Sequence, residues 1–201
     1  MHDPKLDTAR LDALHPTQLT VGLREVDAKR QHWKSVGHRA RYLGRHLVPV
    51  VAGPGGRYYL IDHHHLCRAL LDEGVPQVGV TVVADLSALD RAEFWSFMEH
   101  RGWLHTYDAN GKRRSAKHIP THLADLKDDP YRSLAGAARL AGAFAKDSTP
   151  FSEFLWATHF RQRIKRHLVR DAFSDALEQA MSLARSLDSA HLPGWCGPHP
   201  R

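Results

Sequence analysis

The sequence predicts an α/β (α+β) fold, a small mixed sheet with helices followed by an all-helical C-terminal half. Three observations carry this. Leu47 to Ala52, Arg57 to Ile61 and Val78 to Ala84 are short β-branched or aromatic runs bounded by Gly and Pro, as strands are. Apolar residues at helical spacing lie before and between them. Beyond residue 105 the pattern is helical, so the expected organisation is an α/β domain over 1–105 and a helical extension over 106–201 packed on it.

In chain order, residues 1 to 12 read as a mobile lead-in, and Leu14 to Gly22 as an extended segment containing Pro16. From Asp27, the residues Trp33, Val36, Ala40 and Leu43 recur at helical spacing, with Gly37 as a weak point where a break is expected. Gly53-Pro54-Gly55-Gly56 then joins two strands into a hairpin. The second strand stops at Asp62, expected as an N-cap, and a helix carrying Leu66, Ala69, Leu70 and Leu71 runs to Gly74, its C′ residue. After the Val78 strand, Asp90 and Glu93 form a capping box for a helix with Phe94, Phe97 and Met98 on one side. Asp129-Pro130 and Thr149-Pro150 are expected to open two more helices by placing Pro at the first helical position. The first is rich in small residues. The second is expected to carry Phe151, Phe154, Leu155, Ile164 and Leu168 inward and Arg161, Arg163, Lys165 and Arg166 largely outward, and a last helix to span about 169–187.

With 201 residues, 42% hydrophobic and 25% charged, the chain can bury a core without staples. The polar start and the want of a long apolar stretch predict neither a signal peptide nor a membrane partner, and two unframed cysteines, Cys67 and Cys196, point to a cytoplasmic setting. The net charge of +6 is concentrated in Arg24 to Arg45, Lys112 to Lys117 and Arg161 to Arg170, which suits phosphate-bearing partners, nucleic acid included.

The chemistry is expected at Asp62-His63-His64-His65, where a strand turns directly into a helix. A helix N-terminus offers unpaired N–H groups and the positive end of the macrodipole, so it favours an anion and keeps nearby imidazoles neutral. Neutral imidazoles can serve as base, hydrogen-bond partner or metal ligand. Asp62 and His64, with a distant His15, His105 or His118, form one candidate metal set.

Three segments resemble the ParB/sulfiredoxin-like superfamily, and its ParB-like nuclease subgroup in particular. Leu14-His15-Pro16-Thr17-Gln18-Leu19-Thr20-Val21-Gly22 with Arg24-Glu25-Val26 and Lys29 is similar to the first box, and Asp62-His63-His64-His65 to the second, a phosphate-binding turn of the Asp-Gly-His-His-Arg type. Phe94-Trp95, Asp128 to Gly136 and Pro150 to Ala157 resemble the subgroup's helical extension. The resemblance implies a nuclease or phosphohydrolase acting on a nucleotide or other phosphate-containing substrate at the Asp62 helix start. Glu25, His64 and His65 are the expected catalytic groups, and Arg24, Lys29, Asp62, His63 and Arg68 the expected phosphate contacts. A divalent cation, Mg2+ by preference, is expected with a bound nucleotide. The superfamily also implies alternatives: a nucleotide-dependent small-molecule kinase, a non-catalytic nucleotide- or nucleic-acid-binding module, and a His/Asp metal-dependent enzyme. His63 stands where the pattern has Gly, and Leu66 where it has Arg, with Arg68 or Arg24 as substitutes. His64 takes the place of the cysteine that sulfinic acid reduction needs, so that activity is not expected. Nor is partition-type DNA segregation. Substrate identity and oligomeric state are not specified by the sequence.

Overall fold

A computed structural model describes residues 5–198. Contacts group them into two units, one holding residues up to Val21, Val26–Asp108 and Arg113–Lys127, the other Gly22–Glu25, Ala109–Lys112 and the chain from Asp128 onward.

The first unit is built on a four-stranded mixed sheet. Its elements are β1 (Lys5–Arg10), β2 (Thr20–Val21), most of α1 (Leu23–Ser35), α2 (Arg39–Arg45), β3 (Val48–Gly53), β4 (Arg57–Leu60), α3 (His64–Asp72), β5 (Gln77–Asp85), α4 (Arg91–His100) and the start of β6 (Lys127–Asp128). The sheet order is β1-β5-β3-β4, with β3 parallel to β5 and the outer pairs antiparallel. This fold class matches the expectation from the sequence. Val48, Val50, Val51 and Val80 are fully buried, as β-branched residues in the middle of a sheet should be. Asp90 and Glu93 make the expected capping box, and Phe94 and Met98 of α4 pack with Val51 and Tyr59. Gly74, in the left-handed region at φ 71°, closes α3 with bonds from its N–H to Leu71 O and from Val75 N–H to Leu70 O, a Schellman pair.

Three expectations for this unit need correcting. Residues 1–4 of the lead-in lie outside the described residues, but Lys5–Arg10 is the edge strand β1. An edge strand whose residues are almost all exposed needs no apolar alternation, so the sequence carries no strand signal there. The first helix opens at Leu23 rather than Asp27, and it does break, at Val36-Gly37-His38. The N-cap of α3 is His63, not Asp62.

The second unit is helical, with α5 (Pro130–Leu140), α6 (Ser152–Arg163), α7 (Arg166–Asp171) and α8 (Phe173–Ala184). Asp129 caps α5 as expected, accepting from the N–H groups of Tyr131 and Arg132. The small residues Ala135 and Ala138 are fully buried, and α5 packs on α6 and α8. Trp156 stacks on Phe144 with ring centroids 4.1 Å apart, and its indole N–H donates to Pro193 O. Here too the details differ. Phe151 adopts φ 57° and α6 starts at Ser152, so Thr149 and Pro150 precede the helix instead of opening it. Ile164 is extended and ends α6, and Ala172 separates α7 from α8 where one helix was expected. Leu155 is 44% exposed rather than inward. Arg161 is drawn in, donating to Asp129 Oδ2 at 2.5 Å over the Tyr131 ring.

Candidate functional site

In the first unit the two boxes meet through Thr17 and the β4–α3 turn. The lead segment returns along β4, where His15 N–H donates to Tyr58 O and His15 O accepts from Leu60 N–H. That puts Thr17 over the end of the strand. Its hydroxyl donates to Leu60 O at 2.5 Å, and its backbone N–H donates to His64 Nε2 at 3.1 Å. Nε2 is therefore the lone-pair nitrogen of His64, which fixes the ring as the neutral tautomer with its proton on Nδ1. Burial explains why it stays neutral: His64 is 3% exposed, and loss of solvent brings its pKa down to about 3, against a smaller opposing pull from Asp62.

Around that latch the chain takes an unusual path. His63 has φ 64° and ψ 21°, a left-handed conformation in which a residue with a Cβ is strained by about 1 kcal/mol. The same angle explains why the resembling pattern has Gly at this position. Asp62 is exposed and accepts from His63 N–H at 2.6 Å, and the side chain of His63 makes no capping bond to α3. A left-handed residue followed at once by a helical one turns successive N–H groups to one side, a concavity suited to anions. His65 is 8% exposed and sits in the first turn of α3. Cys67 is fully buried and burial pushes its thiol up, away from nucleophilic use.

Arg68 follows on α3 but is engaged. It donates to Asp72 Oδ1 at 2.9 Å and to the carbonyls of Leu123 and Leu126, both at 3.3 Å, tying a 3-10 turn to the helix. Lys29 is half-buried on α1. The Asp62/His64 pair does not fit a protein-held metal, because the imidazole nitrogen facing Thr17 is already an acceptor. Among the described residues no group of three or more His, Cys, Asp or Glu is gathered to hold one, so His15, His105 and His118 do not complete such a set. Pockets of about 440, 490 and 580 Å3 are lined by residues other than Asp62 to His65.

Arg24 and Glu25 belong to the second unit. The N–H of Leu23 donates to Asp128 Oδ1 and that of Arg24 to Ser133 Oγ, so side chains from another segment cap α1. Arg132, with a side chain 8% exposed, donates to Glu25 Oε2 at 2.9 Å and also faces Glu153, which pairs in turn with Arg139. A Cβ at Gly136 would lie 3.1 Å from Glu25 Oε2 and 3.2 Å from Arg132 Nη1, so this glycine leaves room for the pair. The Arg24 guanidinium lies 4.0 Å from the centroid of the Phe173 ring.

Sequence reasoning did not single out Thr17 or Arg132. Both lie inside segments that carry the resemblance, but each acts on a residue far along the chain, His64 and Glu25 respectively, and spacing gives no sign of such a pairing.

Residues 7–162 match the family model described as "Putative ParB-like nuclease". The chain is similar to protein Atu1540 from Agrobacterium tumefaciens, at 53% identity and a TM-score of 0.92, covering 98% of this chain and 100% of that one. A more distant match is the C-terminally truncated chromosome-partitioning protein ParB from Caulobacter crescentus complexed with CTP-gamma-S. It covers 92% of this chain and 94% of that one, at 13% identity and a TM-score of 0.34, too weak a likeness to carry a ligand across. No curated protein matches the chain.

Proposed function

The chain belongs to the Putative ParB-like nuclease family, and on that premise we propose that it acts on a phosphate-containing substrate whose phosphate docks at the start of α3. One observation supports this above the others: His63 is left-handed directly before α3, and its own side chain does not cap the helix. That path presents backbone donors and the positive helix end together, with the exposed Asp62 beside them. The chemistry proposed is hydrolysis of a phosphate ester, nucleic acid being the substrate the family description suggests. His65 is the proposed general base, and His64 acts by fixing the turn. A divalent cation would arrive with the substrate's phosphates, with Asp62 as its one carboxylate contact.

Asp62→Asn tests the reading. The carboxylate repels a bare anion, so the variant should bind inorganic phosphate several-fold more tightly than the wild type, measured by calorimetry or thermal shift. With Mg2+ and a nucleotide the sign should reverse, because a cation contact is lost. Plasmid nicking by the wild type, abolished in His65→Ala with the fold intact, would establish the hydrolase. Failure of phosphate, nucleotides and Mg2+ to stabilise the wild type would overturn the reading.

A second reading, a non-catalytic binding module, draws support from a specific observation. Two of the expected catalytic groups are held in structural bonds, Glu25 by Arg132 and His64 by Thr17. Ligand stabilisation without turnover on nucleic acid or nucleotide would favour it.

A further inference from the structure

A cationic pocket lies in the first unit, at the corner where α1 gives way to α2. The pocket there, about 490 Å3, is lined by His32, His38, Arg41, Tyr42, Arg45 and His46, with Val36. Arg41 and Arg45 stand four residues apart on α2, so their side chains project from one face with Cβ atoms about 5–6 Å apart. Both are exposed, and neither has a carboxylate partner among the described residues, whereas Arg30 and Lys34 of α1 are neutralised by Glu73. No acidic residue lines the pocket.

The ring of Tyr42 orders the site. It stacks on His46 at 4.1 Å and lies 5.5 Å from His32, and Nδ1 of His46 donates to Tyr42 O at 2.7 Å. Burial pushes the Tyr42 phenol up, so its O–H stays a donor. Three imidazoles in one pocket suggest a transition metal, but no metal-holding group of three such side chains exists among the described residues. Two unpaired guanidiniums, a phenol donor and imidazoles that donate when charged suit oxyanions instead. The volume exceeds what a single phosphate needs, and the two arginines provide charges at two points along one line.

We propose that this pocket binds a chain of linked phosphates, through the two unpaired guanidiniums of α2 and the imidazoles beside them. Such a chain can be a nucleic-acid backbone or a free polyphosphate, and the site does not depend on the α3 turn.

The test uses the full chain and two probes, a short fluorescein-labelled DNA duplex followed by anisotropy and inorganic tripolyphosphate followed by calorimetry. The Arg41→Gln/Arg45→Gln double variant should lose about tenfold or more in affinity, and its log–log salt dependence with the duplex should shrink by about two. Arg91→Gln/Lys146→Gln removes the same charge from exposed positions outside the basic clusters and should change affinity by less than about twofold. Thermal melts of both variants check folding. A loss confined to the duplex identifies a nucleic-acid backbone as the ligand, and a loss with tripolyphosphate identifies a free polyphosphate. Equal losses in the two double variants, or no binding of either probe by the wild type, would overturn the proposal.

Discussion

At the β4–α3 turn a buried imidazole stays neutral and accepts from a backbone N–H, whereas at the start of α1 a buried guanidinium lies among carboxylates. Both regions gather residue types that read as catalytic in the sequence. The turn satisfies its polar group without any net charge, so burial costs little and the backbone of His63 can be aimed outward. The Glu25–Arg132–Glu153 network balances desolvation against ion pairing, which holds only while every member is present. Titratable residues in family motifs can therefore be part of a site's frame, held by bonds to residues far along the chain.

The sharpest way to break this contrast is to remove the guanidinium. Arg132→Met leaves Glu25 without that guanidinium, while Glu153 keeps Arg139, and should cost about 3 kcal/mol in urea unfolding. A loss below about 1 kcal/mol would mean that solvent already screens the network. His64→Leu keeps volume but leaves Thr17 N–H without its acceptor, at a cost of about 1–3 kcal/mol by the same measurement.

The turn should also respond to acid. The folded His64 pKa of about 3 lies below the value near 6.5 of an unfolded imidazole, so the unfolded chain binds the extra proton. Its contribution is complete above about pH 6.5 and is lost as pH falls toward 3, with a slope of up to about 1.4 kcal/mol per pH unit. His64→Leu should flatten that part of the stability profile. The remaining slope should come partly from His159, which burial lowers to about 4 and whose Nε2 lies 2.9 Å from Ser189 Oγ. An unchanged profile in His64→Leu would show that the ring is not buried neutral.

Smaller effects sharpen the comparison from the backbone side. His63→Gly relieves the left-handed strain and should stabilise the protein by about 0.5–1 kcal/mol in thermal melts, with phosphate binding retained. Gly136→Ala sets better helix propensity against a crowded ion pair, and the expected net change is within about 0.5 kcal/mol. A larger loss there would show that Glu25 and Arg132 cannot shift.

Much of the fold could be read directly. The β-branched runs of β3 and β5, the Gly-Pro-Gly-Gly hairpin, the Asp90 capping box and the Asp129-Pro130 start are local signals, and each appears where expected. The strand β1 could not be read, because its residues face solvent and its place depends on pairing with β5. The turn at Asp62 was legible as a strand running into a helix, but the left-handed His63 was not, since histidine seldom adopts that conformation. The bond from Thr17 to His64 joins residues 47 apart, beyond the reach of any periodicity.

The return of the lead segment along β4 also limits how copies of this protein can associate. Tyr58 O, Leu60 N–H and Leu60 O are taken by His15 and Thr17, so the rim of the sheet beside the α3 turn has no ladder to offer a neighbouring chain. Strand-to-strand assembly through this sheet would have to use the opposite rim, at β1, away from the Asp62 turn.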